Sequence, residues 1–308
     1  MESTIRHSVE SSPSLGSQLR AYSELMKLKI VTLLVFTTVT AMVVAANGVP
    51  ELGLLLPTIL GGVLAAGGSS AMNQYIDREM DTRMQRTARR PIPSGRISPI
   101  NALVFGLALV AWSVLVLGLW VNWLAAGLAF LGAIYYVVLY TLILKRNTVV
   151  NIVIGGGAGA IPTLVGWAAV TNTVPLEAFI LFAIVFYWTP PHSWALAILV
   201  NRDYAEANVP MMPVARGLDV TRNQILMYSI QLFVITLIPG ITLLVPGVDM
   251  LGWLYLVSAF VLGLGMIYMS VLLIRVADKA TARNLYKYSS AYLAFLFLAM
   301  MIDRLLLA

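Results

Sequence analysis

Cysteine is absent from this chain, which excludes disulfides and thiolate-held metals. Histidine occurs twice, as His7 and His192, too few for a conventional all-protein zinc site. Charge is scarce as well. Asp, Glu, Lys and Arg make up 11% of the 308 residues, where soluble domains carry about 25%. A surface so poor in charge cannot be wetted all round. With 59% hydrophobic residues and a mean hydropathy of +0.86, its surroundings are expected to be lipid. The net charge of +6 then reflects basic residues that anchor loops on one face, and no nucleic-acid partner is expected. Residues 1–24 read as a disordered cytoplasmic tail. Its acids Glu2 and Glu10 argue against a mitochondrial presequence, and no apolar run follows closely enough for a signal peptide. Residues 25–308 read as one intramembrane domain.

What is abundant is apolar sequence in lengths of about 20, the length that spans a bilayer as helix. Nine such runs occur, near 29–47, 52–72, 101–120, 123–143, 149–170, 176–198, 225–245, 252–274 and 288–307. The expected fold is therefore all-α, a polytopic bundle of nine transmembrane helices. Nineteen of the 20 Lys and Arg residues fall on one side of that arrangement, and only Arg304 falls opposite. The positive-inside rule makes the basic side cytoplasmic, so the N-terminus is expected inside and the C-terminus outside, in a bacterial inner membrane. The fifth run carries Gly155, Gly156, Gly157 and Gly159. Such residues let helices approach closely in lipid or let backbone approach a ligand, and both readings stay open. Two inside connections, 73–100 and 199–224, are long and polar, and long loops in compact folds are usually functional.

The first of these connections continues directly from the second run. Asn73, Asp77 and Asp81 recur at i, i+4 and i+8, so on a helix they form one stripe where the helix leaves the membrane. Charge inside lipid is costly and normally faces a cavity. Two carboxylates and an amide oxygen suit Mg2+, which takes few protein ligands and completes its shell with water and substrate phosphate. Arg78, Arg83, Arg86, Arg89 and Arg90 surround the stripe, and arginine recognises phosphate bidentately. The competing reading is a solvated helix laced with i,i+4 ion pairs.

The second polar segment begins inside the sixth run. Pro190 and Pro191 interrupt helical hydrogen bonding, and His192 lies about 24 Å along that helix at 1.5 Å per residue, the depth of the Asp stripe. His192 has three available roles: a hydrogen bond to a neighbouring helix, a ligand to a substrate's iron, or a proton-handling group. Trp188 and Trp194 read as interfacial anchors or as platforms for a flat substrate. Asp203 and Glu206, at i and i+3, would hold a second metal ion or the same one. Lys145 and Arg146 open the short loop after the fourth run, either as topological anchors or as diphosphate contacts, with Tyr140 a little over one turn above them as a hydrogen-bond donor.

These residues resemble known motifs. Asn73-x-x-x-Asp77-x-x-x-Asp81 followed by Arg86-Thr-x-x-Arg90-Pro resembles the first signature of the UbiA-type intramembrane prenyltransferases, a superfamily that nine helices and two acidic loops also fit. Within it, Trp188-Thr-Pro-Pro-His192-x-Trp194-Ala-Leu-Ala, Asp203-Tyr204 with the later Pro210-Met-x-Pro-Val, and Leu144-Lys-Arg-Asn-Thr are similar to the protohaem IX farnesyltransferase family. The resemblance covers about 25–300. It implies that 25–308 is a prenyltransferase domain whose substrates are farnesyl diphosphate and haem b, and whose products are haem O and diphosphate. It further implies Mg2+ as cofactor, held by Asp77 and Asp81 and oriented by Asn73, with Asp203 as a further metal ligand. Asn73, Asp77, Asp81, Lys145 and Asp203 become the catalytic set, and Arg86, Arg90, Tyr140, Arg146, His192, Trp194 and Glu206 the substrate contacts. Haem A synthase or terminal oxidase assembly proteins become candidate partners. One departure stands out. Many superfamily members carry a second Asp four residues after the first in the later loop, where this chain has Ala207.

Three other functions fit parts of the pattern. Prenylation of an aromatic quinone precursor such as 4-hydroxybenzoate would use the same front half of the site. A transporter is disfavoured, because binding charges would then sit near the midplane and here they sit at one face. A non-catalytic haem chaperone predicts that Asp77→Ala keeps function, while an enzyme predicts lost turnover with the fold intact.

Overall fold

The computed structural model describes residues 14–242 and 250–307. The expected all-α class holds. Among the described residues, nine helices are long and apolar enough to cross a membrane, and the chain is a multi-pass membrane protein. The spanning helices are α2 (Leu28–Ala46), α3 (Leu52–Asp81), α4 (Pro99–Trp120), α5 (Trp123–Ile134) with its continuation, α7 (Asn151–Thr171), α8 (Leu176–Leu199), α11 (Leu218–Ile241), α12 (Trp253–Val276) and α13 (Lys279–Leu307). The continuation of α5 is a π-helix over Tyr135–Leu144, closed by the short turn α6 (Lys145–Asn147). Residues 243–245, the end of the seventh expected span, lie outside the described residues.

Helix boundaries follow local chemistry. Ser98 caps α4 by accepting from the Asn101 N–H at 3.2 Å, with Pro99 in the first turn, where its missing N–H costs nothing. Asn122 does two jobs in the two-residue turn between α4 and α5. Its Oδ1 accepts from Ala125 N at 2.8 Å, and its Nδ2 donates to Ala168 O on α7 at 2.8 Å. Asn47 and Asn172 end α2 and α7 in the left-handed conformation, which Asn tolerates better than most residues.

The helices pack as a ring in chain order, and α13 closes it against α2. Helix α2 also crosses to α7. Glycine permits two of these crossings. A Cβ on Gly68 or on Gly106 would collide with the other's carbonyl oxygen across α3 and α4, and one on Gly166 would strike Thr38 O of α2.

Three expectations change. Residues 15–24, expected as part of a disordered tail, form α1 (Leu15–Met26) with Ser14 as its cap, while 1–13 lie outside the described residues. Gln74 Nε2 donates to Leu25 O at 2.9 Å, so α1 is pinned to α3. The anticipated break at Pro190-Pro191 does not occur: α8 runs through both prolines, with Thr189 Oγ1 donating to Val185 O at 2.9 Å. The 199–224 connection is partly helical, with α9 (Asn201–Glu206), α10 (Met212–Arg216) and the first turns of α11.

Candidate active site

Helix α3 carries the polar stripe beyond the apolar zone without a break, so Asn73, Asp77 and Asp81 share one face as the spacing requires. All three are buried; Asp77 is 0% and Asp81 1% exposed. Bare carboxylates in such a place need partners, and each has one. Lys145 donates to Asp77 Oδ2, Asn73 Nδ2 donates to the same oxygen at 2.8 Å, and Arg146 lies 3.5 Å from Oδ1. Arg90 Nη1 reaches both oxygens of Asp81, at 2.9 and 2.7 Å. Lys27 Nζ completes the row by donating to Asn73 Oδ1 at 3.0 Å. Burial, with the neighbouring charges of Arg90 and Lys145, holds the Lys27 ammonium down to about 7.

The π-helix is what brings Lys145 in. Wider turns change the register between Tyr135 and Leu144, and Thr141 Oγ1 donates to Tyr136 O at 2.8 Å inside them while its own oxygen accepts from Asn73 Nδ2 at 3.2 Å. Tyr136 and Tyr140 stack with centroids 5.8 Å apart. The glycine run makes room for this segment. A Cβ on Gly155 would strike the Tyr140 ring, one on Gly156 would meet Thr189, and one on Gly157 would meet Tyr135.

A cavity of about 470 Å3 opens over these groups, and Asn73, Asp81, Arg86, Arg90, Tyr140 and Lys145 line it as the sequence suggested. Asp77 sits beneath that floor, locked to Lys145. An apolar slot of about 210 Å3 runs alongside, between α2, α3, α5 and α7. Lys27, Ile30 and Tyr136 line both spaces, so the charged chamber and the greasy slot meet at those three residues.

Other expected site residues lie elsewhere. Asp203 accepts from Arg86 N at 3.4 Å, and among the described residues no three acidic or histidine side chains gather into one ligand set. Asp203 therefore does not cluster with Asp77 and Asp81 in this structure. Glu206 pairs with Arg202 at 2.7 Å on the exposed surface and is not on the cavity wall. Trp194, expected to touch substrate, is fully buried against Tyr228 at 5.4 Å; its indole packs α8 on α11. His192 lies outside both spaces. It stacks between Trp188 at 4.3 Å and Tyr286 at 4.7 Å, and its Nδ1 is taken by Ser289 Oγ at 2.8 Å, so Nε2 is the atom a ligand would use.

Five polar lining residues escaped the sequence reading: Glu24, Lys27, Gln74, Tyr136 and Tyr204. Burial raises the Tyr204 hydroxyl above its ordinary value. Tyr136 had a usable signal, since it stands one turn before Tyr140. Lys27 counted only towards topology, because nothing in its neighbourhood announces a fold that returns it to Asn73.

The donor set suits a hard cation. Two buried carboxylates stand one turn apart beside a phosphate-sized chamber, and Asp77 Oδ1 accepts no hydrogen bond.

Comparison with known proteins fits this architecture. The model of the UbiA prenyltransferase family matches residues 34–299. The chain is 49% identical over 300 residues to Protoheme IX farnesyltransferase of Roseiflexus sp. (strain RS-1), covering 97% of this chain and 54% of that one. It is 47% identical over 307 residues to the protein of that name from Gloeobacter violaceus, covering 99% of each. It thus spans about half the length of the Roseiflexus relative and almost all of the Gloeobacter one. A digeranylgeranylglyceryl phosphate synthase superposes with a TM-score of 0.76 at 19% identity, over 94% of this chain and 99% of that one. A UbiA homologue of Archaeoglobus fulgidus bound to DMAPP and Mg2+ superposes with a TM-score of 0.63 at 15% identity, over 91% and 98%. At those identities the two structures speak for the fold alone. Sequence and fold together place the chain in the UbiA prenyltransferase family, to which it belongs.

Proposed function

We propose that this chain transfers the farnesyl group of farnesyl diphosphate to a vinyl group of haem b, giving haem O and diphosphate. The observation that carries a prenyl transfer is the junction at Lys27, Ile30 and Tyr136, where a chamber lined by Lys and Arg meets an apolar slot. A prenyl diphosphate has the same two halves. Haem b as acceptor is supported by relatives named protoheme IX farnesyltransferase along nearly the whole chain.

Asp77, Asp81 and Asn73 would hold Mg2+, which supplies charge neutralisation at the departing diphosphate. Arg86, Arg89, Arg90, Lys145 and Lys27 surround the same space and stabilise negative charge as the C1–O bond opens, because fixed donors in a water-poor site need no reorganisation. Lys145 and Asn73 keep the Asp77 carboxylate aimed before substrate arrives. The slot holds the isoprenoid tail and keeps water from the allylic cation. The diphosphate leaves with the bonding pair, the vinyl π pair closes the new C–C bond at C1, and water adds to the resulting cation and gives up its proton.

The basic, loop-rich face that bears the chamber would be cytoplasmic, with the C-terminus opposite, in a bacterial inner membrane. Incubation of the purified chain with farnesyl diphosphate and Mg2+, offering haem b and 4-hydroxybenzoate in parallel, tests the assignment by mass spectrometry. Farnesylated haem alone is the expected product, and transfer only to the benzoate would refute haem as acceptor.

A further inference from the structure

We infer that Gly62 of α3 and Gly159 of α7 set the length of prenyl chain that this site accepts. The inference rests on the prenyl-transfer reading and extends it to substrate selection. Both glycines line the apolar slot. Several other glycines answer to packing: a Cβ on Gly61 would collide with Leu117, and Gly68, Gly106 and Gly166 stand at helix crossings, while Gly53 and Gly127 are open but lie off the slot. At Gly62 and Gly159 an added Cβ would meet no atom within 4 Å. Glycine weakens a helix interior relative to alanine, so these two positions are not explained by the protein's own packing. The space they leave belongs to the slot. Gly132, also on the wall, differs, since a Cβ there would press on Ile161 Cγ2 at 3.1 Å.

A second observation orients the occupant. Ser70 is 5% exposed, lines the slot, and its hydroxyl has no hydrogen-bond partner. It stands one turn before Asn73 on α3, beside the junction with the chamber. A buried hydroxyl left unpaired is costly, and the ester oxygen of a bound prenyl diphosphate would satisfy it. The ester end of the diphosphate therefore enters the slot at Ser70, Lys27 and Tyr136, with its phosphates in the chamber beyond. Gly62 precedes Ser70 by eight residues, about 12 Å along the helix at 1.5 Å per residue. Gly159 lies eight residues beyond Asn151, whose Nδ2 bonds Thr148 O at 2.7 Å, and so is also about 12 Å into the bundle from the polar end. Both glycines meet the terminal isoprene unit rather than the reacting carbon, and a side chain at either takes that unit's room.

The test uses the full chain in lipid nanodiscs and non-transferable thiolodiphosphate analogues of geranyl, farnesyl and geranylgeranyl diphosphate. Gly62→Leu and Gly159→Leu are each expected to weaken the farnesyl analogue about tenfold or more, the range one or two methylenes decide in a hydrophobic pocket, and to leave the geranyl analogue near its wild-type affinity. Gly127→Leu, whose added Cβ also meets nothing but which lies off the slot, should leave the ranking unchanged. Where leucine blocks assembly, Gly62→Ala and Gly159→Ala must shift the farnesyl-to-geranyl ratio severalfold in the same direction. An unchanged ratio in the folded variants overturns the inference. Farnesyl transfer by the wild type is measured separately, so its absence would sink the functional reading while the binding series still decides the role of the glycines.

Discussion

Lys145 and Asp77 are the hinge of the site: the lysine comes from the end of the π-helix, the aspartate is 0% exposed on α3, and Nζ donates to Oδ2. Breaking a buried ion pair from one side leaves an uncompensated charge and costs about 3–5 kcal/mol. Asn73 and Arg146 remain near Asp77, which places Lys145→Met at the lower end of that range. The variant should melt several degrees lower in detergent and transfer farnesyl about 100-fold more slowly, the scale of losing one stabilising donor. Lys145→Met with wild-type turnover would remove the pair from the account.

Gly155→Ala probes the π-helix from outside the chamber. The new methyl strikes the Tyr140 ring and pushes it out of its stack on Tyr136. Steady-state kinetics should show kcat/KM for farnesyl diphosphate down about tenfold or more, as small misplacements at reacting sites commonly cost. Gly53→Ala, where nothing lies within 4 Å, should change nothing.

How much of this was legible in the sequence depends on the range of the signal. Spans and the Asp stripe are local periodicities, so they could be read directly, and α3 places Asn73, Asp77 and Asp81 as their spacing demanded. Lys27 and Tyr204 were missed because their roles arise only when distant segments converge, whereas Tyr136 was readable one turn before Tyr140. Trp194 and Glu206 failed for the opposite reason. Their motif neighbours suggested contact with substrate, but helix phase turns Trp194 into the α8–α11 interface and leaves Glu206 on the surface with Arg202. Pro190 and Pro191 looked like a break, yet α8 runs through both, and both are buried within the bundle. The glycine run served both readings: Gly155 to Gly157 seat side chains of neighbouring helices, and Gly159 faces the slot.

Asp303 separates stability from chemistry. It lies at the end of the bundle remote from the chamber, is 3% exposed, and accepts from the backbone N–H of Gly252 and of Tyr255 at the start of α12. Loss of such a cap costs about 0.5–2 kcal/mol. Asp303→Ala should lower the melting temperature and leave farnesyl transfer at permissive temperature unaltered. A loss of turnover with normal melting would instead tie Asp303 to the reaction.

Removal of Mg2+ tests the donor set without mutation. Excess EDTA should abolish transfer, and added Mg2+ should restore it. Asp81→Asn, which also frees Arg90, should raise the Mg2+ concentration needed for half-maximal rate by about tenfold, as weakened coordination does. Full activity in EDTA would exclude a metal from the mechanism.

The most direct test combines Asp77→Ala with Asp81→Ala in a protein shown to be inserted and folded, and reads the mass of haem extracted after incubation with farnesyl diphosphate and Mg2+. The account predicts unmodified haem b from the double variant and a farnesylated product from the wild type. Undiminished farnesylation by the double variant would contradict it.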